Sequence, residues 1–180
     1  EISTKRKKYI PKLDERVNFY LKYLYLDDAQ FLIENKEFGA TGIDEINIKL
    51  KNTNLSNISS GEFNRLKLAL ISAMSEYDIV ENGVLFLDEI DANLSGKESE
   101  SIAKLLEILS NNYQIFAISH QPQLTAIAHS HYLVEKNNNI SSIKLLPYNA
   151  RINEIARMIS GKNITQDAIN FATNILDTKK

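Results

Sequence analysis

The segment from Val84 to Glu89 constrains the fold more than any other part of this chain. It reads Val-Leu-Phe-Leu-Asp-Glu, four apolar residues followed at once by two carboxylates. An apolar run of this kind is typical of a parallel strand that is buried on both faces, and the carboxyl edge of a parallel sheet is where such folds bind ligands. We therefore expect Asp88 to hold a magnesium ion through water, and Glu89 to orient and deprotonate the water that attacks a γ-phosphate. The alternative is an acidic pair that only ends a strand in a solvated turn, and the segment alone does not decide between the two.

A helix and a second strand are predicted after this segment. Apolar residues recur at helical spacing from Ile102 to Leu109, and residues 113–118 form a second apolar run rich in β-forming residues. Strand, helix and strand in this order make a parallel βαβ unit. His120 follows the second run, so we expect its imidazole at the sheet edge that carries Glu89. There it could donate a hydrogen bond to the γ-phosphate, although a lone histidine is usually structural.

Ser59, Ser60, Gly61 and Glu62 precede another predicted helix, whose apolar stripe begins at Phe63. Ser59 and Glu62 fit a capping box, in which each side chain binds a backbone N–H of the first turn. The same helix start offers N–H donors, a hydroxyl and a glycine that permits close approach, and these features favour a bound phosphate. The segment by itself favours the cap, and both interpretations stay open.

Composition excludes several classes of protein. The chain has 180 residues, of which 43% are hydrophobic and 24% charged, and this balance fits one soluble globular domain. It has no cysteine, which excludes disulfides, thiolate zinc sites and cysteine nucleophiles. The net charge of −2 gives no general attraction to DNA or membranes, and the basic run from Lys5 to Lys8 is more often a solvated end than a nucleic-acid site. A metal site built from His120, His129 and His131 is disfavoured, because their spacing matches no zinc pattern.

Together, the three elements resemble the ABC ATPase family, and within it the SMC-like heads and the RecN-type DNA repair proteins. The motifs that carry this resemblance are Ile58 to Arg65, Leu87 to Ala92 with Ser95 and Gly96 after it, and Ile118 to Gln123. The tail is similar to the RecN C-terminus through Arg151, Ile152, Glu154 to Met158, Gly161, Thr165 and Ala168.

The resemblance implies an α/β fold, namely a partial P-loop NTPase head lobe with a largely parallel sheet flanked by helices. Residues 1–36 would be the end of a coiled coil and a connecting helix, and apolar spacing indeed predicts a helix from Lys12 to about Phe31. Residues 37–180 would form the C-terminal lobe of the head. The phosphate-cradling motif G-x-x-x-x-G-K-[ST] does not occur in this sequence. We therefore expect that motif in an N-terminal half of the head, and we expect this chain alone to be inactive toward ATP.

The resemblance also implies a function. The full-length protein would hydrolyse ATP with Mg²⁺ and act in DNA double-strand break repair and recombination, in the cytoplasm and associated with the nucleoid. Asp88, Glu89 and His120 would serve the site of their own head, whereas residues 59–62 would close over ATP on a second copy. The expected partners are ATP, the N-terminal half of the head, a second head, and DNA bound by the full-length dimer; no membrane is expected.

This sequence departs from the family pattern at two places. Ser60 stands where the family usually has a second glycine, and Asn93 and Ser95 stand in the loop after the carboxylates, where a small residue and often an aspartate occur. The alternative functions are a non-catalytic interaction domain, whose cap and acidic turn serve only packing, and another SMC-like or ABC ATPase.

Overall fold

The computed structural model describes residues 1–40, 42–77, 83–88, 90–91, 94–138 and 140–178. The chain divides into two compact units. The first contains residues 1–93 and 109–116, and the second contains residues 94–108 and 117–180.

The first unit begins with helix α1, Ile2–Tyr23, which ends in a left-handed turn. Tyr25 has a φ of 56°, and the N–H of Leu26 donates to the carbonyl of Leu21 at 2.9 Å. This hydrogen bond spans six residues, from Leu21 to Leu26, and is characteristic of the Schellman motif that ends many helices. The predicted helix to about Phe31 is therefore wrong beyond α1, because the left-handed residue stops the helix and Phe31 lies in a strand.

Strands β1 (Ala29–Gly39), β2 (Gly42–Leu50) and β3 (Thr53–Asn54) form an antiparallel sheet in that order. Apolar Ile46, Ile48 and Leu50 alternate with polar residues, a pattern that predicts a strand. Strand β2 confirms this prediction, whereas the sequence pattern does not predict β1. A single 3-10 turn, Leu55–Asn57, then leads to the second helix.

Side chains of α1 bind the backbone of β1 at the edge of this sheet. Asn18 accepts a hydrogen bond from the N–H of Ala29 at 2.7 Å and donates one to its carbonyl at 2.9 Å. Asp14 accepts from the N–H of Phe31 at 2.9 Å. These bonds satisfy backbone groups on the outer side of β1, the edge strand of the sheet in the part of the chain that the structure describes. Such groups are costly to leave unpaired once buried. They fix α1 against the start of β1.

Helix α2, Ser60–Ser75, packs on α1. Beyond its C-terminus, the carboxylate of Glu76 accepts hydrogen bonds from Arg16 and Tyr20 of α1. Buried apolar residues of the two helices, with the residue that follows α1, are Val17, Tyr20, Leu21, Leu24, Leu66, Leu68, Ala69 and Ala73.

Strands β4 (Gly83–Asp88) and β5 (Tyr113–Ile118) pair as a parallel two-stranded sheet. The rings of Phe86 and Phe116 stack with centroids 5.0 Å apart and planes 10° apart. Phe86 is 78% exposed and Val84 is 53% exposed. The prediction that β4 is buried on both faces is therefore wrong for this chain by itself. The face that carries Val84 and Phe86 is open to solvent.

Within its described residues, the second unit contains a hairpin and four helices. Its elements are α3 (Gly96–Leu109, of which Leu109 belongs to the first unit), α4 (Pro122–Ile127), β6 (Tyr132–Asn137), β7 (Ile140–Leu145), α5 (Tyr148–Ser160) and α6 (Gln166–Asp177). Strands β6 and β7 are antiparallel. Helices α4, α5 and α6 pack together around Ile155, Ala156 and Ala172, which are fully buried. Apolar residues recur at helical spacing from Ile152 to Ile159 and from Ala168 to Leu176, which predicts two amphipathic helices in the tail; α5 and α6 confirm them.

The predicted α/β class is confirmed, with β4 and β5 as its parallel pair. The predicted boundary between residues 36 and 37 stays a prediction. Across the described ranges, every helix is too short or too polar to cross a membrane.

Candidate functional site

The start of α2 carries the capping box expected from the sequence. Ser59 Oγ accepts from the backbone N–H of Glu62 at 3.3 Å, and Glu62 Oε2 accepts from the backbone N–H of Ser59 at 2.8 Å. The Ser59 hydroxyl also donates to Glu62 Oε2 at 2.8 Å. The backbone N–H of Ser59, followed by its hydroxyl, lowers the pKa of the Glu62 carboxyl. The carboxylate is therefore charged at neutral pH and reinforces the cap.

This cap leaves room for a second role at the same helix start. The N–H groups of Ser60 and Gly61 belong to the first turn, where no helix carbonyl can reach them. Ser60 is exposed and Gly61 is buried. Donors of this kind at the positive end of the helix dipole suit an anion. The cap is thus confirmed, and the phosphate contacts of residues 59–62 stay a prediction.

Asp88 is the last residue of β4 and is exposed in the first unit. Glu89 lies outside the described residues, so its role as the base stays a prediction. His120 belongs to the second unit and is also exposed. The meeting of these side chains at one nucleotide therefore stays a prediction as well.

The loop after the carboxylates is described in part. Asp91 is buried, with 1% of its surface exposed, whereas Asn93 lies outside the described residues. The backbone N–H of Ser95 donates to Glu98 Oε2 at 2.8 Å, and the N–H of Ser99 donates to the carbonyl of Ser95 at 3.0 Å. Ser95 thus begins α3 in the manner of a helix cap, and the spacing Ser-x-x-Glu could have predicted it.

His120 lies in a hydrogen-bonded turn between β5 and α4. Ser119 Oγ accepts from the backbone N–H of Gln121 at 2.9 Å. The carbonyl of Gln121 accepts from the N–H and the hydroxyl of Thr125, both at 3.0 Å. This turn fixes the backbone on the C-terminal side of His120 while its side chain faces solvent.

The other two histidines do not form a metal site with His120. No group of three or more histidine or acidic side chains that could hold a metal ion occurs within the described residues. His129 is exposed, whereas His131 is 8% exposed and its Nδ1 has no hydrogen-bond partner. Burial, and then the charge of Arg151, lower the pKa of His131. His131 is therefore neutral near pH 7.

Three residues of the basic run have partners within the chain. Lys5 pairs with Glu1 at 3.0 Å, and Arg6 pairs with the buried carboxylate of Asp44 at 3.1 Å. Lys7 donates to the side chain of Asn35 at 3.1 Å. This use of the basic side chains supports the solvated-end interpretation over a nucleic-acid site.

Comparison with known families gives a match over most of the chain. Residues 1–126 match the model of the AAA domain family, described as "putative AbiEii toxin, Type IV TA system". This match spans α1 through α4 except the last residue of α4, and it contains every residue singled out above for nucleotide chemistry.

The chain is also similar to curated DNA repair proteins along its length. It is 40% identical over 180 residues to RecN of Helicobacter pylori strain ATCC 700392 / 26695, which covers 100% of this chain and 34% of that protein. It is 33% identical to RecN of Rickettsia bellii, covering 98% of this chain and 34% of the relative. RecN of Halalkalibacterium halodurans is 30% identical over 96% of this chain. The chain thus spans about a third of the length of these relatives.

Solved structures of SMC heads share the fold. A Smc head domain with a coiled coil and joint from Pyrococcus yayanosii is 20% identical, with a TM-score of 0.68, covering 87% of this chain and 30% of that one. A chain from work on the ATP-driven dimerization and DNA-stimulated activation of SMC ATPases is 20% identical, with a TM-score of 0.60, covering 87% of this chain and 96% of that one. At this identity the likeness shows the fold alone.

Acidification should destabilise the protein through His131. Because its folded pKa is lowered, the unfolded state binds the proton more readily, and the free energy of unfolding falls as pH drops below the ordinary histidine pKa of about 6.5. The slope reaches at most about 1.4 kcal/mol per pH unit. Denaturant unfolding between pH 7.5 and 5.5 should show a shallower pH dependence for His131→Gln than for the wild type. Equal slopes for His131→Gln and the wild type would contradict the account.

Proposed function

This chain belongs to the AAA domain family, and we propose that it is the C-terminal half of an ATP-hydrolysing, SMC-like head in a RecN-type DNA repair protein. The similarity to RecN runs along the whole chain. The observation that best supports an ATPase is the parallel pairing of β4 with β5, since Asp88 ends β4 and His120 follows β5. In parallel sheets, ligands bind beyond the carboxyl ends of the strands.

The chemistry assigned to these residues is phosphoryl transfer from ATP to water. Asp88 presents an exposed carboxylate oxygen at the strand end, and hard oxygen donors of this kind suit magnesium through its water shell. Magnesium, when bound, neutralises charge on the phosphates. Glu89, the next residue, would orient the attacking water and accept its proton. His120 would donate a hydrogen bond to the γ-phosphate and so report its presence.

The start of α2 would serve a second head. Its cap orders the first turn without using the N–H groups of Ser60 and Gly61. An ATP held by another copy would meet these donors, with Ser59 and Glu62 beside them. Two heads would then enclose two ATP molecules, which makes dimerisation depend on ATP. The SMC ATPases of similar fold are described as dimerising in an ATP-driven way.

The exposed apolar face of β4 and β5 supports a further partner. Val84, Phe86 and Phe116 are each at least half exposed, and stacked phenylalanines in water are unfavourable because apolar surface is costly to hydrate. The proposed cover is the N-terminal half of the same head, which would also supply the phosphate-cradling G-x-x-x-x-G-K-[ST] motif. The relatives are about three times as long as this chain, which leaves ample length for such a half.

DNA double-strand break repair and recombination are proposed from the RecN similarity. The full-length dimer or its coiled coils would bind DNA, in the cytoplasm at the nucleoid. The basic residues of α1 are a weaker candidate for this contact, because Lys5, Arg6 and Lys7 already have partners. The alternative is a head that has lost catalysis and serves only as an interaction domain, and the experiments below separate the two.

Glu89→Gln tests the proposed base in the full-length protein. Removing a general base lowers the rate by roughly a hundredfold to ten-thousandfold, so steady-state ATP turnover should fall while ATP-bound dimers accumulate in light scattering. Glu100→Gln is the matched control: Glu100 is an exposed carboxylate that pairs with Lys104 at 2.6 Å, and its loss should leave turnover unchanged. Normal hydrolysis by Glu89→Gln would reject the assignment. A wild type without magnesium-dependent turnover would favour the non-catalytic alternative.

Ser60→Asp separates the cap of α2 from its proposed phosphate contact. An aspartate in the first turn suits the helix dipole and leaves the Ser59–Glu62 bonds intact, so stability should change by less than about 0.5 kcal/mol. The new carboxylate would repel a phosphate, so ATP-dependent dimerisation, measured in the Glu89→Gln background, should weaken at least about tenfold, or about 1.4 kcal/mol. The control Ser56→Asp places the same charge on the exposed 3-10 turn. Equal dimerisation of the Ser60 and Ser56 variants would contradict the proposed contact.

A further inference from the structure

Arg151, in the first turns of α5, binds the end of a neighbouring helix. Its Nη2 donates to the carbonyl of Ala128 at 2.8 Å, with longer contacts to Ala126 at 3.4 Å and Thr125 at 3.5 Å. Thr125 and Ala126 lie in the last turn of α4 and Ala128 follows it, at the end of the helix where carbonyls commonly lack a partner within it. A cation there also complements the negative end of the helix dipole. Arg151 therefore acts as an external cap on α4.

Helix α4 is short and connects directly to the turn that carries His120. It spans Pro122–Ile127, so the segment capped by Arg151 begins immediately after that turn. Thr125 bonds back to the Gln121 carbonyl through both its N–H and its hydroxyl, and the N–H of Gln121 bonds to Ser119. Hydrogen bonds thus connect the guanidinium with the end of α4, and connect α4 with the backbone on both sides of the imidazole.

Packing supports the same connection. Ala126 belongs to the buried cluster formed with Ile155 and Ala156 of α5 and with Ala172 of α6. Helix α4 is too short to be stable alone, since isolated helices need about 12 or more residues. Its position is therefore set by the tail helices, through this apolar contact and through Arg151.

The surroundings of Arg151 favour a specific polar role over simple packing. Burial lowers the pKa of its guanidinium, and its Nε is buried without a partner. Burying a charged group is costly unless it is well bonded, so an apolar side chain would fill this space more favourably if packing were its only task. Neighbouring His131 is held neutral and adds no second charge beside the guanidinium.

We propose that Arg151 is a positioning residue for the nucleotide reaction: by capping α4 it fixes the turn that presents His120 to the γ-phosphate. The inference rests on the proposed ATPase function and gives the C-terminal helix pair a role within it. Small misplacements of a catalytic group lower rates strongly, by about a hundredfold for 1 Å. Loss of Arg151 should therefore affect the chemical step more than ATP binding.

The test uses Arg151→Met and Arg151→Lys in the full-length protein. Methionine keeps much of the side-chain length and removes every donor, so kcat should fall about tenfold to a hundredfold while KM for ATP changes less than about threefold. Lysine retains one cationic donor and should restore part of kcat. The matched control is Arg157→Met on the same helix: Arg157 bonds Glu154 at 2.6 and 2.8 Å, and its side chain is 54% exposed, so kcat should stay at the wild-type value. Unchanged kcat in Arg151→Met would overturn the proposal.

A double-mutant cycle with His120→Ala identifies the route of the effect. If Arg151 acts through His120, Arg151→Met should lower kcat less than about twofold further once the imidazole is gone, because coupled residues are not additive. A full additional loss would show that Arg151 acts elsewhere and would overturn the proposal. If the wild type hydrolyses ATP and His120→Ala does not alter the rate, the assignment of His120 fails instead.

Hydrogen exchange supplies a readout that does not depend on activity. Removing the cap should speed amide exchange in residues 119–128 in Arg151→Met, and should leave it at the wild-type rate in Arg157→Met. Unchanged exchange in Arg151→Met would reject the positioning role even in a protein that hydrolyses ATP. If the wild type has no ATPase activity but exchange is faster in Arg151→Met, Arg151 still caps α4 and the proposed function is rejected.

Discussion

Parallel pairing of β4 with β5 is the constraint on which the proposed nucleotide chemistry depends. Parallel strands present their carboxyl ends at a common edge, and the chain attaches Asp88 to one such end and His120 to the next. An antiparallel pair would send these two residues to opposite edges. Glu89 follows Asp88 directly, so its proposed role as the base also depends on the parallel pairing of β4 with β5.

Side chains bind the exposed ends of three helices next to the segments proposed for nucleotide chemistry. Ser59 and Glu62 cap α2 with their side chains, and Ser95 begins α3 against Glu98. Arg151 closes α4 from a different helix. In each case a side chain satisfies a group that the helix leaves unpaired, and for α4 the buried cluster around Ile155 and Ala156 adds apolar contact.

The sequence predicted the elements whose signals are local. Apolar runs with short connections placed β4, α3 and β5 correctly, and the spacing of Ser59 and Glu62 predicted a cap that is present. The end of α1 was not predictable in this way, because Tyr25 adopts a left-handed φ without the glycine that usually marks such a turn. Strand β1 forms through its pairing with β2 and through bonds from Asn18 and Asp14 of α1, and a pattern within the strand's own residues does not show these contacts. The exposure of Phe86 was missed because an apolar run predicts burial without saying which part of a protein provides the cover.

A structure of the full-length Glu89→Gln protein with ATP and magnesium tests the central claim most directly. The account predicts an imidazole nitrogen of His120 within about 2.6–3.2 Å of a γ-phosphate oxygen, with the Asp88 carboxylate bonded to the water shell of the ion. Residues 59–62, at the N-terminus of α2 in the second head, should contact the same nucleotide. ATP bound away from the carboxyl ends of β4 and β5, or Asp88 and His120 directed to different ligands, would contradict it.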